Sequence, residues 1–260
     1  MPNEETEKQR GRGIYLLPNL FTTAALFAGF YAIVAAMNGQ FEKAAIAVFV
    51  AMVLDSLDGR VARLTNTQSE FGAEYDSLSD MVSFGLAPSL VMYQWSLSAM
   101  GKLGWLAAFV YAAGAALRLA RFNTQVGIAD KRFFQGLASP AAAAIVAGAV
   151  WVGVSYGVDG KTLVPLTFVL TVAAGVLMVS NIRYYSFKDL DLRGKVPFVA
   201  VLIVVLVFVF VSIDPPQVLF AAFLVYALSG PVMTLVMRSR RRKAKQAQDS
   251  QEDDDGGPEG

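Results

Sequence analysis

The sequence predicts an all-α, polytopic integral membrane protein with about eight transmembrane helices and both termini in the cytoplasm. Of its 260 residues, 55% are hydrophobic and 17% are charged, which is a more apolar composition than a soluble domain of this size requires. The apolar residues form runs close to the roughly 20 residues that a helix needs to cross a bilayer. The predicted spans are 14–37, 41–62, 73–97, 103–121, 136–156, 162–181, 196–213 and 216–237.

The distribution of basic residues supports this topology. Nineteen of the 22 Lys and Arg residues fall in segments predicted to be cytoplasmic, and the predicted outside loops contain only Lys43, Lys102 and Lys161. Because cytoplasmic loops carry an excess of Lys and Arg, the loss or addition of one span would break the alternation. We therefore expect a multi-pass protein of the cell's inner (cytoplasmic) membrane.

The two ends of the chain differ from the membrane domain, which we predict to cover 14–237. Residues 1–13 are polar and mixed in charge, which predicts a disordered cytoplasmic tail and not a cleavable signal. Residues 238–260 run from basic to acidic, which predicts a second disordered tail whose basic half contacts anionic lipid headgroups. The net charge of +1 argues against nucleic-acid binding.

Four aspartates lie inside or beside apolar segments, where each carboxylate at the bilayer centre costs roughly 2.5 to 3.5 kcal/mol. Helix geometry places Asp55 and Asp58 about 60° apart on one helix, and the other two lie one turn apart on the next. We expect these two helices to pack side by side, so that Asp55, Asp58, Asp76 and Asp80 face one another.

Like charges this close need cations in order to stay ionised. An all-oxygen ligand set suits Mg²⁺, Mn²⁺ or Ca²⁺, and the chain contains neither Cys nor His. The sequence therefore predicts a divalent-metal site in which carboxylates do the acid–base work. The alternative is a set of solvated helix ends at the membrane surface.

The aspartates belong to a longer pattern that resembles the signature of the CDP-alcohol phosphatidyltransferase family. The pattern is Asp55-x-x-Asp58-Gly59-x-x-Ala62-Arg63, then eight residues, then Gly72-x-x-x-Asp76-x-x-x-Asp80. The resemblance implies metal-dependent transfer of a phosphatidyl group from a CDP-linked lipid to an alcohol, with release of CMP. It further implies two Mg²⁺ or Mn²⁺ ions per site, one on Asp55, Asp58 and Asp76 and the other on Asp55, Asp76 and Asp80, with Asp80 as the catalytic base.

Several residues near the aspartates are candidates for binding the CDP-lipid. Gly59, Ala62 and Gly72 would let a nucleotide approach the helix backbones, although small residues also serve close helix packing in membranes. Arg63 is a candidate phosphate clamp, or an ordinary interfacial charge. The resemblance adds Asn19 and Thr22, for which the alternative is a helix start.

One predicted span contains helix-disturbing residues shortly after the last aspartate. Gly85 and Pro88 lie within the third span. Residues of this kind are tolerated in a membrane helix where neighbouring groups satisfy the backbone. We expect a kink or a local opening near the site.

Two segments further along the chain bear on the acceptor. The segment RLARFN at 118–123 and the segment FFQGLASPAAAA from Phe133 resemble the bacterial phosphatidylserine synthases within this family. That resemblance implies CDP-diacylglycerol and L-serine as substrates, and we also expect a homodimer. An acceptor or phosphate pocket is predicted at Arg118, Arg121 and Asn123, the alternative being basic side chains that snorkel to the interface.

Other functions remain open at this point. Glycerol 3-phosphate or inositol phosphate could replace serine in the same chemistry, with Lys131 and Arg132 adding positive charge. A divalent-cation transporter is a remote alternative that would also use intramembrane aspartates. It would not need the small residues Gly59, Ala62 and Gly72, which a nucleotide does.

Overall fold

A computed structural model describes residues 16–65, 67, 69–124, 133–185 and 198–234. The predicted tails at 1–13 and 238–260 lie outside these residues, as do Lys131 and Arg132. The predictions made for them therefore stay predictions, and so does the homodimer.

The described chain is almost entirely helical, which confirms the predicted helical class. The helices are α1 (Leu16–Met37), α2 (Phe41–Thr65), α3 (Glu70–Asp80), α4 (Ala87–Trp95), α5 (Lys102–Thr124), α6 (Ser139–Ser155), α7 (Val164–Val179), α8 (Phe198–Ile213) and α9 (Pro215–Thr234). A π-helical segment, Met81–Leu86, joins α3 to α4, and short 3₁₀ turns occupy Leu97–Met100 and Gly160–Thr162. Within the described residues, each predicted span overlaps one of these helices, or the α3–π–α4 run.

Three of the described helices are long and apolar enough to cross a membrane: Asn19–Met37, Lys102–Thr124 and Pro215–Thr234. Two shorter apolar helices, α6 and α7, accompany them. These helices indicate a membrane protein. The count of eight spans and the cytoplasmic position of both termini stay predictions.

One small sheet interrupts the helical pattern and has no counterpart in the prediction. Strand β1 (Phe133–Gln135) pairs antiparallel with β2 (Arg183–Tyr185). Gly136 follows β1 with a φ of 79°, a left-handed conformation that glycine adopts without strain. This ladder ties the chain before α6 to the chain after α7.

Many of the residues buried between the helices are alanines, whereas many large apolar side chains are exposed. Ala32, Ala44 and Ala51 are buried, while Phe27 and Phe208 are 70% and 73% exposed. This distribution suits a bilayer, because lipid tails are as apolar as the side chains and helices associate through close packing of small residues. The outer faces are therefore suited to lipid.

Helix α1 is central to the part of the fold that carries the aspartates. It packs against α2 and α3, and against the π-helical segment and α4. The predicted side-by-side packing of α2 and α3 is found in part, because their aspartates lie close together, but in the described residues α3 packs mainly on α1 and approaches α2 at few backbone positions. The two acidic helices are therefore held by a common neighbour, with space between them.

Candidate active site

The aspartates converge where the C-terminal half of α2 meets α3. Ser69 is the N-cap residue of helix α3, and its hydroxyl accepts a 3.0 Å hydrogen bond from the Gly72 backbone N–H; such a cap anchors a helix start. One carboxylate oxygen from each of Asp55, Asp76 and Asp80 lies within 4.8 Å of the others. This group of three, the carboxylate triad, matches the ligand set expected for one of the two ions.

The carboxylate triad fits a divalent cation. The Oδ1 atom of Asp76 is buried and has no hydrogen-bond partner among the described residues, although a buried carboxylate oxygen normally has one. Three mutually repelling carboxylates in a partly buried site are also unfavourable without a cation. A divalent ion among these oxygens would give the Asp76 Oδ1 a partner and would offset the repulsion among the three carboxylates.

Asp58 lies beside the triad but is held differently. It is buried, and its Oδ2 accepts a 2.7 Å hydrogen bond from the Thr22 hydroxyl on α1. It also interacts electrostatically with Asp76. Thr22 therefore orients a carboxylate. The sequence analysis predicted Thr22 as a contact for the CDP-lipid and did not predict this role. Asp58 as a metal ligand stays a prediction.

Hydrogen bonds to α1 also fix the position of α3. The Ser79 hydroxyl donates to the Thr22 carbonyl oxygen at 3.1 Å, and the Ser83 hydroxyl donates to that of Ala25 at 3.0 Å. Both serines are buried, and neither was a predicted site residue. Their four-residue spacing on an otherwise apolar helix face was the available signal. Helix α1 thus orients acidic residues on two helices.

The π-helical segment begins directly after Asp80, where the sequence predicts a kink or local opening. Its Phe84 carbonyl oxygen accepts a 3.0 Å hydrogen bond from the hydroxyl of Tyr111, which is fully buried on α5. A π-helical turn commonly marks a functional site because it changes the helix register there. Sequence analysis did not identify Tyr111, which looks like any apolar-face tyrosine.

The candidate nucleotide residues surround open space on α2. A side-chain carbon built at Gly59 would meet no atom within 4 Å, so helix packing in the described chain does not require glycine there. Ala62 is half-buried, and the Arg63 Nε donates to the Gly59 carbonyl oxygen at 2.8 Å. The guanidinium of Arg63 therefore lies alongside the open surface at Gly59.

Gly72 and Asn19 meet on the other side of the site. A side-chain carbon at Gly72 would lie 3.1 Å from the Ser69 hydroxyl and 3.6 Å from the Asn19 Oδ1. The N-cap of α3 is therefore sufficient reason for a small residue at Gly72. Nucleotide contacts by Gly72 and Asn19 stay predictions.

Two of the three candidate acceptor residues are engaged in contacts between helices. Arg121 donates to the Asn181 Oδ1 at 3.1 Å and to the Val179 carbonyl oxygen at 2.5 Å, which ties α5 to the end of α7. Asn123 and Ser77 exchange hydrogen bonds of 3.0 and 3.2 Å between their side chains. These contacts give both residues a structural role.

Arg118 differs from those two residues because it faces the carboxylates. Its Nη1 donates to the Ser139 hydroxyl at 2.7 Å, and its guanidinium interacts electrostatically with Asp80. Its Nε is buried and lacks a hydrogen-bond partner within the described part of the chain. A buried, charged donor without a hydrogen-bond partner is suited to binding an anionic ligand.

The sequence matches the CDP-alcohol phosphatidyltransferase family over residues 15–179. The chain belongs to this family. The match includes all four aspartates, and it confirms the resemblance drawn from their spacing. Membership makes the chain an enzyme and argues against the cation transporter.

Several similar proteins carry the name CDP-diacylglycerol–serine O-phosphatidyltransferase. The one from Helicobacter pylori is 40% identical over 217 residues, which cover 83% of this chain and 90% of that protein. The one from Mycobacterium tuberculosis is 36% identical over 180 residues, which cover 67% of this chain and 62% of that protein. The one from Bacillus subtilis is 32% identical over 173 residues, which cover 66% of this chain and 91% of that protein.

Proposed function

We propose that this enzyme transfers a phosphatidyl group from CDP-diacylglycerol to L-serine, giving phosphatidylserine and CMP, at the cytoplasmic face of the inner membrane. The observation that carries the proposal is the carboxylate triad with the Arg118 guanidinium beside Asp80. The names of the similar proteins support serine as the acceptor.

Asp55, Asp58 and Asp76 would hold one Mg²⁺ or Mn²⁺ ion, and Asp55, Asp76 and Asp80 a second. When bound, such ions supply positive charge that stabilises a pyrophosphate and its departing phosphate. Helix α1 prepares this site through the Thr22 bond to Asp58 and the serine bonds to its backbone.

The transfer step needs a base and an in-line acceptor. Asp80 takes the proton of the serine hydroxyl, and the hydroxyl oxygen forms a bond to the lipid-linked phosphorus. The bond from that phosphorus to the bridging pyrophosphate oxygen breaks, and CMP leaves with the electron pair. A single displacement of this kind inverts the configuration at phosphorus, whereas a covalent intermediate on an aspartate would retain it.

Features of α1 and α2 support this side of the site as the place for the donor. The open surface at Gly59 and the adjacent Arg63 suit the pyrophosphate and nucleotide. A groove of about 660 Å³ between these helices suits an acyl chain. Its lining is mostly apolar, and it extends from Leu54, next to Asp55, to Lys43 at the far end of α2.

The acceptor pocket favours a single negative charge. Arg118 offers one buried guanidinium with an unpartnered Nε in the described structure, which matches the carboxylate of serine. A phosphorylated acceptor carries about two charges at neutral pH and would call for a second cation, but Arg121 is bonded to Asn181 and Val179. The other predicted cations, Lys131 and Arg132, lie outside the described residues. Glycerol 3-phosphate and inositol phosphate are the less favoured acceptors because the similar proteins are named for serine.

The decisive experiment is CMP release by the purified protein in detergent with CDP-diacylglycerol and Mn²⁺ or Mg²⁺. Serine, glycerol 3-phosphate and inositol phosphate are offered separately. We expect metal-dependent release with serine, lost in Asp80→Asn and retained in Glu74→Gln, which changes an exposed carboxylate on the same helix. Release only with a phosphorylated acceptor would keep the family chemistry and overturn serine.

A further inference from the structure

The family match ends at residue 179, but the surroundings of Arg118 extend beyond it. Tyr226, which lies on α9, is a neighbour of the guanidinium. On another side the guanidinium donates its 2.7 Å hydrogen bond to Ser139 at the start of α6. Arg118 is thus flanked by Asp80 on α3, a hydroxyl on α6 and a tyrosine on α9.

The contacts of α9 explain how Tyr226 is held there. Its ring packs against that of Tyr184 with centroids 5.6 Å apart. The Tyr184 hydroxyl donates to the Ala227 carbonyl oxygen at 3.0 Å. Tyr184 is buried at 1% exposure and lies on strand β2, which pairs with β1 just before α6. The small sheet therefore links α9 to the same part of the chain that carries Ser139.

Ser139, like Tyr226, is held in a fixed position. It is fully buried, and it begins α6 next to Ala138, whose side chain cannot cap the helix. The first-turn N–H groups of an uncapped helix carry partial positive charge. That charge lies beside the Arg118 guanidinium, so the surroundings of Arg118 favour an anion.

We propose that Ser139 and Tyr226 are positioning residues for Arg118. Together they select acceptors that carry a carboxylate close to the reacting hydroxyl, on the carbon that bears the amine. The inference rests on the proposed function and extends it to a helix outside the family match. Ser139 fixes one arm of the guanidinium through its hydrogen bond, and the neighbouring Tyr226 limits its movement. The Nε, which has no hydrogen-bond partner in the described part of the chain, then donates to the acceptor carboxylate, while Asp80 receives the proton of the acceptor hydroxyl.

The test compares L-serine with ethanolamine, which keeps the hydroxyl and the amine but lacks the carboxylate. The kcat and KM for each acceptor, and the KM for CDP-diacylglycerol, are measured in the full-length wild type, Ser139→Ala, Ser139→Thr and Tyr226→Phe. Tyr156→Phe is the control, because it removes a tyrosine hydroxyl whose partner, Asp214, lies on exposed surface and not beside Arg118.

We expect Ser139→Ala to raise the KM for serine about tenfold, the loss typical of one hydrogen bond to a charged group. The KM for CDP-diacylglycerol and the rate with ethanolamine should stay near wild type, and Ser139→Thr should restore the KM for serine. Tyr226→Phe should reduce the preference for serine over ethanolamine, whereas Tyr156→Phe should not. If Ser139→Ala does not fold, the measurements on Ser139→Thr and Tyr226→Phe test the positioning role.

Equal effects on serine and ethanolamine in these variants would overturn the positioning role. So would an equal loss of preference in Tyr156→Phe, which would show that the effect is not specific to the surroundings of Arg118. A wild type that releases CMP with a phosphorylated acceptor and not with serine would overturn the proposed function, and this inference with it. The wild-type measurement thus separates the two failures.

Discussion

The Thr22 hydroxyl donates a 2.7 Å hydrogen bond to Oδ2 of Asp58 across the contact between α1 and α2. Both side chains are buried, at 4% and 6% exposure. A buried carboxylate needs such a partner in order to stay ionised and correctly oriented. A helix that contributes no carboxylate thereby determines the geometry of the candidate metal centre.

Replacement of Thr22 by Val should therefore impair catalysis. The variant keeps the shape but leaves Asp58 without this donor, and loss of a hydrogen bond to a charged group costs about 1.5 to 3 kcal/mol. We expect kcat/KM to fall at least about tenfold, with a higher metal concentration needed for half-maximal activity. Thr22→Ser should retain activity. Thr171→Val, at a buried threonine on α7, is the control, and an equal loss there would contradict the specific role.

The carboxylate triad should cost stability when no metal is bound. Asp76→Asn removes one of three repelling charges, so we expect the metal-free variant to melt at a higher temperature than the metal-free wild type. Its activity should fall about a hundredfold or more, because even the outer partners of metal ligands are worth about 10- to 100-fold.

Melting curves with and without Mn²⁺, together with CMP release, check this pair of expectations. Metal should stabilise the wild type more than Asp76→Asn. Glu74→Gln should behave like the wild type in both measurements, since Glu74 is exposed on the same helix. A triad variant that keeps full metal-induced stabilisation would show that the ion binds elsewhere.

Tyr111→Phe tests whether the π-helical segment sets the direction of Asp80. The change leaves the buried Phe84 carbonyl oxygen without its 3.0 Å donor, a loss of about 1 to 3 kcal/mol. We expect a lower melting temperature and a fall in kcat that exceeds the change in either KM. Tyr156→Phe removes a hydroxyl whose 2.9 Å bond to Asp214 lies on exposed surface and serves as the control. An unchanged kcat in Tyr111→Phe would rule out the positioning effect.

Ala24→Phe tests the groove between α1 and α2. Ala24 lines this groove, and an added ring would displace two or more lipid methylenes, each worth about 0.8 kcal/mol. The KM for long-chain CDP-diacylglycerol should rise about tenfold, with little change for a short-chain donor and none in the KM for serine. Val169→Phe, on the outward face of α7 where Val169 is 62% exposed, should leave all three values unchanged.

The contacts of Arg121 show where prediction from the sequence ends. Arg118 and Arg121 lie three residues apart on one helix, and by sequence both are cations at the end of an apolar span. Only the structure shows that Arg121 is bonded to Asn181 and Val179, whereas Arg118 lies beside Asp80. Their partners come from distant parts of the chain, so local spacing does not distinguish them.

The sequence by itself determined the helical class, the location of each helix and the acidic pattern that defines the family. These follow from local physics, because apolar runs must satisfy their backbone in helices and carboxylates in such runs need cations. Tertiary structure alone decided that Thr22 orients Asp58, that Tyr111 satisfies the π-helical segment, and that Ser139 and Tyr226 flank Arg118. The Thr22–Asp58 pair is separated by 36 residues, and contacts of that range depend on how helices pack, which the periodicity of any one helix does not specify.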